Sequence, residues 1–127
     1  MRRIAMSLAA AAAALVLAAA AAASCIRMSG AEQRARADII FDAVALDGPT
    51  ASGVERFRVV RYRKGTGART IRVRTGRKHF ADGSGMTTSV SITAARGETW
   101  RIFARRVRRG LFETNMCDGS RRIRKAG

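Results

Sequence analysis

Histidine occurs once in this chain of 127 residues, as do tryptophan, tyrosine and proline, against two cysteines and nine carboxylates. These scarcities exclude most site chemistry. A lone His79, with no second histidine and no neighbouring cysteine pair, does not make a zinc site from protein ligands. Ser84, Ser89 and Ser91 have no base beside them to activate a hydroxyl. The carboxylates are scattered, and no spacing places two of them together on one face. Asp82-Gly83-Ser84-Gly85 lacks the Gly-Lys-Ser/Thr ending of a phosphate-binding loop and reads as a turn. The sequence points away from an enzyme and implies no cofactor and no metal.

What is abundant begins at the start of the chain. Met1-Arg2-Arg3 precedes twenty uncharged residues, Ile4 to Ala23, of which thirteen are alanine. Twenty such residues are long enough to span a bilayer core of about 30 Å, but alanine is only weakly apolar. Ala21-Ala22-Ala23 supplies the small side chains that a signal peptidase needs, so a signal peptide over 1–24, cut near Ala23 or Ser24, is expected. An uncleaved segment would instead be a membrane anchor. Ala22-Ala23-Ser24-Cys25 also resembles a lipobox, with Ala22 where a large aliphatic residue is usual. Lipidation of Cys25 is therefore one alternative, and a disulfide to Cys117, the only other cysteine, is another. One sulfur cannot do both. Either fate places the protein outside the cytoplasm, secreted or held at the cell envelope.

Without residues 1–24 the chain has 103 residues, one domain's worth, and a net charge of +14 carried almost wholly by arginine. Such a charge attracts anionic surfaces and polymers. Arginine far in excess of lysine, with abundant alanine and glycine, is also what a GC-rich genome produces.

Ser29-Gly30-Ala31-Glu32 fits a capping box ahead of a short helix through Ala37. Asp38 to Leu46 is β-branched and aromatic and ends at Asp47-Gly48-Pro49, which predicts the first strand and a turn. Phe57 to Arg63 alternates, with Phe57, Val59 and Arg61 on one face and Arg58, Val60 and Tyr62 on the other. After Lys64-Gly65-Thr66-Gly67 the pattern resumes through Arg74, a hairpin signal. A loop over 76–85 and a weak strand over Met86 to Ile92 follow. Thr99 to Val107 and Leu111 to Met116 flank Arg108-Arg109-Gly110, which suits a three-residue hairpin with a bulge. The expected fold is mainly β: a small five-stranded barrel with one short N-terminal helix, spanning 25–117 and followed by a loose basic tail, 118–127. Ile71, Val73, Trp100 and Ile102 would fill it, with Arg58, Arg72, Arg74 and Arg101 outside.

Several segments carry a resemblance: ARADIIFDAVALDG (35–48), FRVVRYRKG (57–65), IRVRTG (71–76), GETWRIFARR (97–106) and LFETNMCDGSRRI (111–123). In order and spacing they are similar to bacterial relatives of the tissue inhibitors of metalloproteinases, the netrin-like modules. That resemblance implies an oligonucleotide/oligosaccharide-binding (OB) type barrel behind a signal peptide, and it supports a Cys25 to Cys117 bridge. The animal inhibitors chelate a protease zinc through the amine and carbonyl of a Cys-X-Cys at the mature N-terminus. Here Cys25-Ile26-Arg27 has one cysteine, and Thr88-Ser89-Val90 stands where another is expected.

The densest positive clusters are Arg105, Arg106, Arg108 and Arg109 with Arg121, Arg122 and Arg124. They would form one anion-binding face if the last hairpin and the tail share an end of the barrel. The leading expectation is a non-enzymatic exported module that binds an anionic or protein partner at the bacterial cell envelope. An inhibitor or regulator of an exported metalloprotease is the second reading. An OB-type nucleic-acid binder is the third, disfavoured by export and by the few aromatics available for stacking.

Overall fold

The computed structural model describes Cys25 and residues 27–127; the expected signal peptide, 1–24, lies outside the described residues. A helix α1 (Gly30–Arg36) leads into strand β1 (Ile39–Ala45). Strands β2 (Val54–Lys64) and β3 (Thr70–Arg74) form the hairpin that the glycine-bearing turn predicts. A two-residue pair, β4 (Lys78–His79) and β5 (Gly85–Met86), decorates the following loop. Strands β6 (Thr99–Arg108), β7 (Leu111–Glu113) and β8 (Arg121–Arg124) complete the chain.

The main sheet runs β1-β2-β3-β7-β6 and closes on itself because β1 also pairs with β6. The pairing of β3 with β7 is parallel and the other pairings are antiparallel. This is the connectivity of a closed five-stranded OB-type barrel, as expected from the strand count and the lack of a βαβ rhythm. Closure leaves no long edge exposed among these five strands.

The interior is filled by side chains from alternate positions of each strand: Phe41, Phe57, Ile71, Val73, Trp100, Ile102 and Phe112 with Ile92 from the long loop. Trp100 and Phe57 are core residues, as their spacing implies. A smaller apolar cluster, Ala37, Ile40 and Phe103, lies apart from this core. Ile40 and Phe103 face each other across the β1–β6 pairing, one position out of phase with the inward residues, so this cluster belongs to the outer face of the barrel.

Four details depart from expectation. Strict alternation puts Tyr62 opposite Phe57, yet Tyr62 packs against the same core as Val59. The β1–β2 register skips Val60 and Arg63, so a bulge at Val60 reverses the parity and leaves Val60 61% exposed. The weak strand expected over Met86 to Ile92 is confined to β5, and 87–98 is irregular chain. Leu111 to Met116 is strand only through Glu113, and Met116–Asp118 forms a 3-10 turn with an Asn115–Asp118 capping box. The tail expected to be loose contains β8, so the folded domain reaches past residue 117. Because β7 is short, β6 keeps a free edge at Thr99 to Arg101, and β8 occupies it.

A seven-residue helix is too short to persist alone. Here Ser29 accepts the Glu32 amide at 3.2 Å as the N-cap. At the other end the Lys64 ammonium donates to the carbonyls of Arg34 (2.7 Å) and Ala37 (2.6 Å), which neutralises the unpaired C-terminal carbonyls. Cys25 and Cys117 form a disulfide with Cα atoms 5.5 Å apart, tying the chain ahead of α1 to the 3-10 turn. That bond occupies the Cys25 sulfur that lipidation would need.

Candidate anion-binding surface

The seven arginines expected on one face are divided by the topology. Arg121 sits opposite Arg101, Arg122 opposite Trp100 and Arg124 opposite Thr99, all at the start of β6. Arg108 and Arg109 lie at its far end, in the hairpin to β7. Seven residues of strand separate Arg101 from Arg108, about 23 Å at the usual rise. Antiparallel pairing of β8 with the first half of β6 thus holds the two clusters apart. Gly110, at φ 77°, closes the hairpin, and a register shift between Arg106 and Arg108 marks the predicted bulge.

Several of the seven are already engaged. Arg105 lies 3.5 Å from Asp118 and 3.7 Å from Glu113. Arg106 stacks over the Phe112 ring at 5.4 Å. Arg122 pairs with Glu98 at 2.9 Å, and Glu98 also accepts the Ala95 amide (2.6 Å) and the Trp100 indole (3.1 Å). The Ala95 amide does most to hold the Glu98 carboxyl below its usual range; Arg122 and Trp100 add to it against the opposing effect of burial.

Other carboxylates neutralise arginines in the same way. Asp42, 6% exposed on the outer side of β1, receives Arg101 through two nitrogens (2.8 and 3.2 Å) and Arg63 at 2.8 Å. Burial raises the Asp42 carboxyl, but the bonds from Arg101 and Arg63 together outweigh it and leave the group lowered. Asp47 accepts the Arg56 amide and both ends of its guanidinium at 2.9 to 3.1 Å, and the Arg56 side chain is the main cause of its lowered pKa. Glu55 points inward, 1% exposed, and is held by the Thr75 hydroxyl and by Arg77 at 2.8 Å. Burial pushes the Glu55 carboxyl up despite both donors. Neither Asp42 nor Glu55 carries a spacing signal, because their partners lie 21 to 59 residues away in sequence.

What this pairing leaves uncompensated is the outer face of β2 and β3. Arg56 stands directly opposite Arg72, Arg58 opposite Thr70 and Arg74 opposite Val54. Arg58, Arg72 and Arg74 are exposed and make no ion pair among the described residues. Like charges directly opposite each other on a sheet repel, and only Asp47 at the margin offsets them. The signal was readable: arginine at every second position of VERFR and TIRVR puts four guanidiniums on one face. This face carries no aromatic side chain, since Phe57 and Ile71 point into the core.

Among the described residues no group of histidine, cysteine and carboxylate side chains could hold a metal, and His79 is an exposed residue of the small β4–β5 hairpin. Asp82 accepts the Ser84 amide and hydroxyl at 2.9 and 2.6 Å, which makes the Asp82-Gly83-Ser84-Gly85 stretch the turn it was read as. In comparisons with known proteins, no family model, no curated protein and no solved structure matches the chain.

Proposed function

We propose that the protein is a non-enzymatic, exported module of the netrin-like kind that binds polyanions of the bacterial cell envelope through the outer face of β2 and β3. The observation that carries this reading is the run of Arg56, Arg58, Arg72 and Arg74 on one sheet face with Asp47 as its single carboxylate partner. Guanidiniums match phosphate and carboxylate oxygens in bidentate geometry, and their mutual repulsion is relieved when an anionic polymer lies across them. The strand 2–3 face is also where OB barrels present their ligands. A disulfide between Cys25 and Cys117 suits an oxidising compartment and supports export.

The absence of an aromatic platform on this face argues against single-strand nucleic acid, which OB proteins hold largely by base stacking. Protease inhibition has one observation in its favour: the bridge ties the chain at Cys25 to the barrel, so a mature chain beginning there would hold its α-amine near a fixed point. Saturable loss of a metalloprotease activity that disappears on acetylating that amine would support this second reading.

The test of the first is titration of the protein with polyphosphate across salt concentrations. Affinity falls at least about tenfold between 50 and 200 mM salt if several guanidiniums displace counterions. Arg72→Ala with Arg74→Ala removes most of the binding without unfolding the barrel. Binding that survives that double substitution refutes the assignment of the face.

A further inference from the structure

Beside β1 and β6, on the side of the barrel that carries α1, a groove of about 480 Å³ opens between the helix, the two strands and the start of β8. Its apolar residues are Ile40 and Phe103, and its cations are Arg34, Arg63, Arg101 and Arg121. The Lys64 stem completes one wall while its ammonium is spent on the end of α1. No carboxylate lines the groove. Asp42 binds Arg63 and Arg101 from its own strand position.

The bonding leaves a defined set of donors. Arg63 reaches Asp42 through Nε only, which leaves both of its terminal nitrogens, and Arg101 uses Nε and one terminal nitrogen, which leaves the other. Arg34 and Arg121 make no ion pair among the described residues. Asp42 therefore acts as a brace that fixes two guanidiniums, with Arg121 held beside Arg101 by the β6–β8 register. Four guanidiniums offer more donors than one carboxylate can accept, whereas a tetrahedral phosphate presents three or four oxygens to them. Next to these cations, the Ile40–Phe103 surface gives an attached hydrocarbon a place to leave water.

We propose that this groove is a binding site for a phosphate ester carried on an apolar body, the phosphate held by Arg34, Arg63, Arg101 and Arg121 and the hydrocarbon lying on Ile40 and Phe103. Its volume lies within the range of sites for small organic ligands, about 300 to 1,000 Å³. The site is separate from the β2–β3 face: it draws on β2 only at Arg63 and Lys64, past the Val60 bulge.

The decisive experiment is calorimetric titration of the disulfide-bonded protein with monomeric dihexanoyl phosphatidic acid, dihexanoyl phosphatidylcholine and inorganic phosphate, followed by sedimentation with phosphatidic acid vesicles. Phosphatidic acid binds at least about tenfold more tightly than either of the other two, because each of them lacks one half of what the site recognises. Arg34→Ala with Arg121→Ala removes two exposed, unpaired side chains and weakens that binding at least about tenfold, whereas Arg72→Ala with Arg74→Ala leaves it unchanged. Vesicle binding with the same dependence on Arg34 and Arg121 identifies a membrane lipid as the source of the ester; binding of the monomer alone identifies a soluble one. Equal affinity for inorganic phosphate and phosphatidic acid overturns the proposal, as does binding indifferent to Arg34 and Arg121 or no binding to any of the probes.

Discussion

Replacing Cys25 and Cys117 by serine should remove a large part of the stability of this domain. The bridge joins residues 92 apart in sequence, so it closes most of the folded chain into one loop. In the chain-entropy model, a loop of that length lowers the entropy of the unfolded ensemble by an amount worth about 4.6 kcal/mol at 25 °C. A domain of this size has a net stability of about 5 to 15 kcal/mol, so the serine variant would be marginal. The single tryptophan, Trp100, is 5% exposed and bonded to Glu98, which makes its fluorescence a reporter of the barrel itself. With a urea slope of about 1.5 to 2 kcal/mol per molar, the midpoint should move down by about 2 to 3 M. The slope should also steepen, because an unfolded chain without the cross-link exposes more surface. A loss under about 1 kcal/mol by Trp100 fluorescence, with faster amide exchange confined to α1, would refute the argument. It would mean that the bridge only pins the segment ahead of the barrel and does not constrain the unfolded chain as a whole.

Two further outcomes rest on single carboxylates. Glu55→Gln leaves the Arg77 guanidinium buried without its counter-charge and should cost about 3 kcal/mol in urea denaturation, whereas replacing Glu55 and Arg77 together by leucine should cost clearly less. Asp42 has a folded pKa below its ordinary value of 3.8, so its stabilisation is complete above that pH and is lost as pH falls through the lower folded value. The stability difference between the wild type and Asp42→Asn should accordingly be constant near neutrality, at about 2 kcal/mol, and shrink below about pH 4. A difference independent of pH in thermal melts from pH 2 to 7 would contradict the Asp42 brace.

The barrel strands and their inward residues were readable because periodicity of two is a local property, and Ile71, Val73, Trp100 and Ile102 obey it. The Ser29 cap and the Gly110 hairpin were readable for the same reason. Tyr62 was misplaced because the bulge at Val60 comes from how β1 and β2 coil together, which no window on β2 alone contains. The 118–127 segment looked like a tail because nothing within it is strongly apolar. Its strand forms on the edge of β6 that a short β7 leaves free.

The site divides along the same line. Composition and alternation by themselves determined that this is a basic β-barrel with arginines outside and branched and aromatic residues inside, and left the fate of Cys25 open between two chemistries. Which arginines remain available was decided only by the tertiary structure, because neutralisation depends on distances between residues far apart in the chain. Asp42 takes up Arg63 and Arg101, Asp47 takes up Arg56 and Glu98 takes up Arg122. Barrel closure and the antiparallel docking of β8 set those distances, and so they separate a dense run of arginines into spent charges and exposed ones.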